Sequence, residues 1–158
     1  MTPHTLPKPE LTHVFDVAVT IAPPIEIGQT PAGRRRIIPI TGGVVDGPGG
    51  KGRVLAGGAD YQLIVAQDTQ AHLDARYAIE MADGAVIFVE NTALRVASQA
   101  DSRKIMEGIP VDPSAIYFRC QPRFETAHPD WQWLHETQFI GTGVRRPDGV
   151  LLSIYKVL

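Results

Sequence analysis

The sequence predicts an all-β fold, a sandwich or a barrel of about eight or nine strands with one short helix. Three observations lead to this prediction. Apolar and polar residues alternate with a period of two through several runs of the chain. Segments rich in glycine and proline separate these runs at regular intervals. Only residues 98–107 have the features of a helix.

A β-hairpin is predicted between Gly57 and Gly84, where residues 60–66 and 72–81 form two strand-like runs joined by a polar link. Successive side chains of a strand point to opposite faces, so the second run has one apolar and one charged face. Its apolar face carries Leu73, Ala75, Tyr77 and Ile79, and its charged face carries His72, Asp74, Arg76 and Glu80. The charged face could simply be solvated. In a closed barrel it could instead line the lumen and bind a ligand.

The other elements are predicted from the same signals. Residues 1–10 are polar and proline-rich, which favours a flexible arm before a single domain over residues 11–158. Ser98 and Asp101 have capping-box spacing, and Gly108 is placed to end the helix. Six glycines in residues 42–52 indicate turns and bulges of a curved sheet, because the phosphate-loop consensus is missing and no helix pattern follows. The predicted strands are residues 11–21, 34–41, 53–56, 60–66, 72–81, 85–91, 115–121, 132–142 and 150–157, with a turn at 145–149.

Composition limits the classes of partner. A formal charge of −2 and a pI near 6.2 give no electrostatic footprint for nucleic acid or an anionic membrane. The single cysteine, Cys120, suits a reducing compartment, and no signal peptide or long apolar run is present, so a cytoplasmic location is expected. Cys120 lies in an aromatic-rich strand, which favours a buried core thiol over a nucleophile.

No cofactor is predicted from the motifs. The five histidines have neither HxxxH nor HxH spacing, and no dinucleotide fingerprint follows a strand. No metal site is therefore assigned, although ligands from separate strands could still converge.

Several spaced motifs resemble the family known as domain of unknown function 3237, small proteins of bacteria and fungi. These motifs are GRRRIIPITGG (33–43), GGAD (57–60), LDARY (73–77), ADGAVIFVEN (82–91), YFRCQPRFET (117–126) and WQWLHETQFIGTG (131–143). The resemblance covers nearly the whole chain. It implies a lipocalin-like antiparallel β-barrel of about eight to ten strands, with an interior cavity and a short peripheral helix. One departure is His135, where the family usually has asparagine, because histidine can transfer a proton near neutral pH and asparagine cannot.

Acid–base chemistry is the activity that the remaining polar residues favour. Asp60 follows a glycine bend, and Trp133 and His135 share a face if residues 132–142 form a strand. We expect Asp60 and His135 to be catalytic, with substrate-binding roles for four others. These four are Arg35 at the rim, Arg76, Arg119 and Trp133. The alternative for Asp60 is a stabilising ion pair with an arginine near the barrel mouth.

The predicted function is a small-molecule-binding barrel. We expect a cofactor-independent lyase, isomerase or cyclase acting on a carbonyl-bearing, cyclic or aromatic substrate. The alternative is a non-catalytic carrier of a hydrophobic ligand. The strand at 34–41 contains Pro39, which suggests a sheet edge, and an exposed edge favours a homodimer.

Overall fold

The computed structural model describes residues 6–158, in which ten strands form one antiparallel sheet that closes into a barrel. The strands are β1 (Leu11–Ile21), β2 (Ile25–Thr30), β3 (Gly33–Asp46), β4 (Gly52–Val54), β5 (Ala59–Val65), β6 (Gln70–Met81), β7 (Val86–Val96), β8 (Tyr117–Glu125), β9 (Phe139–Arg146) and β10 (Gly149–Val157). Helix α1 (Gln99–Met106) and two 3₁₀ segments (Pro113–Ala115 and Pro129–His135) complete the described chain. The predicted all-β barrel with one short helix is confirmed.

Closure depends on β1, which pairs with both β10 and β3. The ten strands occupy eight positions around the barrel, because two positions are each filled by two short strands. Strands β4 and β5 both lie between β3 and β6, and β2 and β1 pair with successive halves of β3. The pairing therefore selects a barrel over a sandwich.

Strand β3 bends where it changes partners. Its first half pairs with β2 and β5, and its second half pairs with β1 and β4. Gly42 and Gly43 at the bend have φ of +154° and +148°. A Cβ atom on Gly43 would lie 2.2 Å from the carbonyl oxygen of Ala18, so only glycine permits this approach of β1. Pro39 suggested an edge or a bulge. The edge is wrong, because β3 is paired on both sides and β2 is the edge strand, whereas the register against β1 shifts between Ile40 and Gly42.

The apolar face of the β5–β6 hairpin, not its charged face, is turned to the barrel interior. Leu73, Tyr77 and Ile79 are buried, whereas Arg76 is exposed and forms ion pairs with Asp74 and with a carboxylate of β7. Turning the apolar face inward stabilises the fold by removing apolar surface from water. Turning the charged face inward would cost free energy, because each buried charge loses its hydration. The idea that this charged face lines the lumen is therefore corrected.

Helix α1 has the predicted N-cap. The Ser98 hydroxyl oxygen accepts a hydrogen bond from the Asp101 N–H at 3.0 Å, and Gly108 follows the helix with φ of +75°. Because α1 follows β7 directly, it lies at the barrel end where β7 finishes. There Arg36 Nη2 donates to the Met106 carbonyl oxygen at 3.4 Å, which connects α1 to the inner face of β3.

Residues 129–135 form a 3₁₀ segment, so the prediction of a strand over 132–142 is wrong at its start and strand β9 begins at Phe139. Trp131 and Leu134 are both buried, a spacing of three that fits three residues per turn. His128 caps the segment by accepting from the Asp130 N–H through Nδ1, at 3.3 Å. An aromatic cluster fills this end of the barrel, formed by Phe15, Phe124, Trp131, Trp133 and Phe139.

Residues 6–10 are exposed and precede the first strand, and the Glu10 carbonyl oxygen accepts from the Leu158 N–H at 2.8 Å. The rest of the predicted arm, residues 1–5, lies outside the described residues. Within residues 6–158, no helix has the length and apolar character needed to cross a membrane.

Candidate functional site

A cavity of about 60 Å³ lies in the half of the barrel opposite the aromatic cluster. Because neighbouring antiparallel strands run in opposite directions, strands β1, β7 and β9 end in this half of the barrel. Strands β3, β6, β8 and β10 begin there. Much of its wall is aliphatic, with side chains of Val19, Ile21, Ile38, Ile40, Leu73 and Leu152. Six polar or aromatic-hydroxyl residues also reach it, namely Asp60, Gln62, Tyr77, Asn91, Arg95 and Arg145.

Asp60 is the one carboxylate among the described residues that line this cavity. Its Oδ2 accepts from Gln62 Nε2 at 2.8 Å, and its Oδ1 accepts from the Asp74 N–H at 3.1 Å. Burial raises the pKa of Asp60 above the usual range of an aspartate, opposed by the Gln62 hydrogen bond and by the positive charge of Arg95. Asp60 is thus a stronger proton acceptor than an exposed aspartate.

Arg95 is the buried cation of the site, with 4% of its surface exposed. Within residues 6–158 it has neither an ion pair nor a side-chain hydrogen bond. Burial lowers the pKa of Arg95 to about 10, while the negative charge of Asp60 opposes this shift and the neighbouring arginines add to it. A cavity lined by such a cation attracts an anionic ligand.

Two more arginines increase the positive potential around the cavity. Arg36 lies on the inward face of β3, with Nε 2.8 Å from Glu26 Oε1 in an ion pair whose N–H direction is not aligned for a hydrogen bond. Arg145 Nη1 donates to the Gly149 carbonyl oxygen at 2.9 Å. Burial lowers the pKa of both guanidinium groups. Glu26 balances Arg36, and Asp148 lies close enough to attract Arg145 from outside the cavity wall. Of the residues that line the wall itself, Asp60 is the one carboxylate against Arg95 and Arg145, so the described lining is positively charged.

Two buried amide oxygens lack hydrogen-bond donors among the described residues, Gln62 Oε1 and Asn91 Oδ1. Both residues line the cavity. Buried polar atoms are nearly always satisfied, so each of these oxygens indicates a place for a donor from a ligand or water. Tyr77 adds a hydroxyl group whose pKa is raised by burial, which keeps it protonated.

The structure does not bring the six sequence-predicted site residues together, since Asp60 alone of them lines the cavity. Arg76 is outside the barrel wall. Arg119 lies over the outer ring face of Tyr117, 5.0 Å from its centroid, and is also exposed. Residues 117 and 119 point outward while Phe118 and Cys120 point inward. That these arginines contact a ligand stays a prediction, but the prediction that they share a site with Asp60 is wrong.

Three further candidates also lie outside the cavity wall. Trp133 belongs to the aromatic cluster, with its ring 6.0 Å from that of Phe139. His135 is exposed, and its Nε2 accepts a hydrogen bond from the Thr126 N–H at 3.1 Å. Arg35 has the opposite strand parity to inward-facing Arg36. The common face predicted for Trp133 and His135 depended on a strand that is a 3₁₀ segment here.

Sequence reasoning missed Asn91, Arg95 and Arg145, which line the cavity, and the buried Arg36 close to it. A signal for two of them exists in β7, where the odd-numbered positions continue the buried face of Ile87 and Val89. The predicted strand ended at Asn91, whereas β7 continues to Val96. Extending the alternation by four residues would have placed Arg95 inside the barrel.

No group of three or more His, Cys, Asp or Glu side chains within residues 6–158 is arranged to hold a metal ion. Cys120 is buried, as expected of a core thiol, and burial raises its pKa to about 11. The described site is therefore defined by one carboxylate, two arginines, two amides and a tyrosine hydroxyl group, with Arg36 close by.

The fold and the site define a class, an antiparallel β-barrel with a small, positively charged internal cavity. Within this class, the chain belongs to the family described as protein of unknown function (DUF3237), whose model matches residues 9–157. It is 44% identical over 152 residues to a UPF0311 protein of Rhodopseudomonas palustris, covering 96% of this chain and 99% of that protein. The crystal structure of the Rhodopseudomonas palustris protein has a TM-score of 0.91, covering 97% of this chain and 100% of the other.

Two further crystal structures extend the comparison. A β-barrel-like protein of Acinetobacter baumannii is 35% identical with a TM-score of 0.85, and the match covers 99% of this chain and 100% of that one. A protein of Penicillium herquei described as an enzyme is 22% identical with a TM-score of 0.72, covering 99% and 100% of the two chains. At that identity the similarity is one of fold.

Proposed function

We propose that this protein is a cofactor-independent acid–base enzyme, a lyase, isomerase or cyclase, that acts on a small carbonyl compound in the barrel cavity. The observation that carries the proposal is the placement of Asp60, a carboxylate of raised pKa, in a largely apolar cavity beside Arg95. A base in a low-dielectric cavity and a cation for the developing negative charge are the two groups that enolisation requires. The similarity in fold to a fungal enzyme is compatible with catalysis.

In the proposed reaction, an Asp60 oxygen removes a proton from the carbon next to the carbonyl group. The C–H electron pair moves into the new C=C bond, and the carbonyl oxygen becomes an enolate oxygen. Arg95 and Arg145 stabilise that charge, and Tyr77 can donate a hydrogen bond to it. The enolate then takes the proton back at another carbon, expels a leaving group or closes a ring, which are the three reaction types above.

The size of the cavity bears on the substrate. Ligand pockets for drug-sized molecules are roughly 300–1,000 Å³, which is far larger than the 60 Å³ of this cavity. The described conformation therefore favours a substrate smaller than the aromatic or cyclic compound expected from the sequence. A ring would require the side chains of the cavity wall to move apart.

A non-catalytic carrier is the second candidate, and a specific observation favours it. Both Asp60 oxygens already accept hydrogen bonds from the protein, as they would in a purely structural role. The two functions differ in what the loss of the carboxylate does, since a carrier loses affinity alone and an enzyme loses turnover.

The test uses pyruvate in D₂O, whose methyl protons exchange when the compound enolises. We expect the wild-type protein to accelerate this exchange, and Asp60→Asn to lower the rate by about 10²- to 10⁴-fold at similar pyruvate affinity. The control Asp46→Asn makes the same chemical change at an exposed residue and leaves the rate unchanged. Pyruvate binding without exchange, or exchange that survives Asp60→Asn, would contradict the enzyme and favour the carrier.

A further inference from the structure

Hydrogen-bond partners are missing at two kinds of group around the cavity. Arg95 offers guanidinium donors, is almost completely buried, and has no acceptor among the described residues. Gln62 Oε1 and Asn91 Oδ1 are acceptors with no donor. The guanidinium group of Arg95 pairs with an anion and the two amide oxygens pair with O–H or N–H groups, so neither a simple carboxylate nor a neutral alcohol satisfies both.

The orientation of the two amides is fixed by their neighbours. Gln62 Nε2 donates to Asp60 Oδ2 at 2.8 Å, so its oxygen is the free end. Asn91 lies beside the Cys120 thiol and lowers its pKa, which is the effect of the amide nitrogen, the donor end, facing the sulfur. Turning either amide over would place a C=O group where an N–H is needed. The free acceptors are therefore a stable feature of the site.

The cavity volume limits how large the ligand can be. A buried water needs about 10–15 Å³ of such space, so 60 Å³ holds about four to six heavy atoms. Aliphatic side chains form much of the rest of the wall, including Ile38, Ile40 and Leu73. These walls suit the short carbon skeleton that carries the charged group and the hydroxyl group.

From these observations we infer that the cavity binds a short hydroxycarboxylate, with its carboxylate on Arg95 and its hydroxyl group donating to Asn91 Oδ1 or Gln62 Oε1. Arginine recognises a carboxylate through two parallel N–H donors, and Arg145 adds positive charge beside it. The inference rests on the proposed function in taking this cavity as the working site, and it identifies the substrate class.

The test compares three probes on the wild-type protein by calorimetry and by chemical-shift titration. L-Lactate has both groups, propionate has the carboxylate alone, and 1,2-propanediol has the hydroxyl groups alone. We expect L-lactate to bind about tenfold more tightly than propionate, as one hydrogen bond to a buried acceptor implies, and the diol not to bind. The shifts should concentrate on residues of β5 and β7.

Two variants locate the groups that recognise the probes. Asn91→Leu should lower L-lactate affinity toward that of propionate and leave propionate affinity unchanged. Arg95→Met should abolish binding of both acids, whereas Arg123→Met, at an exposed arginine on the outer face of β8, should have no effect. The comparison of probes on the wild-type protein needs no variant, so it remains decisive if a variant fails to fold.

Equal affinities for L-lactate and propionate would overturn the inference. So would binding that survives Arg95→Met, and so would the absence of binding of either acid at 50-fold excess over millimolar protein.

Each of these results can be told apart from a failure of the proposed function. Exchange of pyruvate protons that depends on Asp60 would leave the enzyme in place with a different substrate class. Selective L-lactate binding without any such exchange would leave the ligand class in place and indicate a carrier.

Discussion

Replacing Arg95 with methionine should stabilise the ligand-free protein. Burial lowers the pKa of Arg95 from its ordinary range to about 10, because the charged form loses hydration that Asp60 only partly offsets. At about 1.4 kcal/mol per pKa unit, the charged guanidinium costs the folded state about 3 kcal/mol. A folded-state pKa below the unfolded value means that this cost is present in full below pH 10 and is relieved as the pH rises through the folded-state pKa toward the ordinary value.

The assay is urea and thermal unfolding of Arg95→Met at pH 7.5 without added anions. Methionine keeps most of the side-chain length and removes the charge, so we expect a gain of about 2–3 kcal/mol, or roughly 5–12 °C in Tm for a chain of this size. Arg103→Met is the matched control, since Arg103 is exposed on α1 and the two residues have similar helix propensity. It should change stability by less than about 0.5 kcal/mol.

Loss of stability in Arg95→Met would refute this reasoning. It would mean that the attraction between Arg95 and Asp60 exceeds the cost of burying the arginine. The double variant Arg95→Met/Asp60→Asn then identifies the cause, because it removes the carboxylate left without its neighbouring cation. If the double variant is as unstable as the single one, the loss comes from packing and not from charge.

Three other predictions follow from the buried groups and the sheet. Burial raises the pKa of Asp60, so the stabilisation from its protonated form is complete below pH 3.8 and is lost as the pH rises through the higher folded-state pKa. The free energy of unfolding should therefore decline over this range in the wild-type protein and not in Asp60→Asn. Cys120, with a pKa of about 11, should react with iodoacetamide at pH 7.5 at least about 100-fold more slowly in the folded than in the unfolded protein, and equal rates would contradict its burial. The homodimer remains a prediction, now through the edge strand β2 with exposed Ile25 and Ile27, and a light-scattering mass near 17.2 kDa at micromolar concentrations would contradict it.

The local sequence pattern was sufficient to predict the secondary structure wherever the apolar residues of an element follow a single period. The first strand was predicted with its observed bounds, Leu11–Ile21, and the N-cap at Ser98 was predicted with its hydrogen bond. Both depend on contacts within a few residues or on plain alternation. The 3₁₀ segment at 129–135 was missed because its apolar spacing over a few residues is compatible with either period.

Asp60 could be assigned to the cavity from sequence because its neighbours constrain it. It follows the bend at Gly57 and Gly58, and Gln62 shares its face, so both reach the interior together. Gly58 marks a close approach, since a Cβ there would lie 2.4 Å from the Arg76 carbonyl oxygen. The glycine pair was therefore a local signal of a tertiary contact.

The arginines of the cavity were decided by the tertiary structure alone. Arg34, Arg35 and Arg36 are consecutive, and only the register of β3 against β5 determines that Arg36 is the one turned inward. A shift of one residue exchanges the two faces of a strand, and local sequence does not specify that shift. The sequence alone therefore determined an all-β chain with a candidate base at Asp60. Which arginines lie close to Asp60 was determined only by the closure of the barrel.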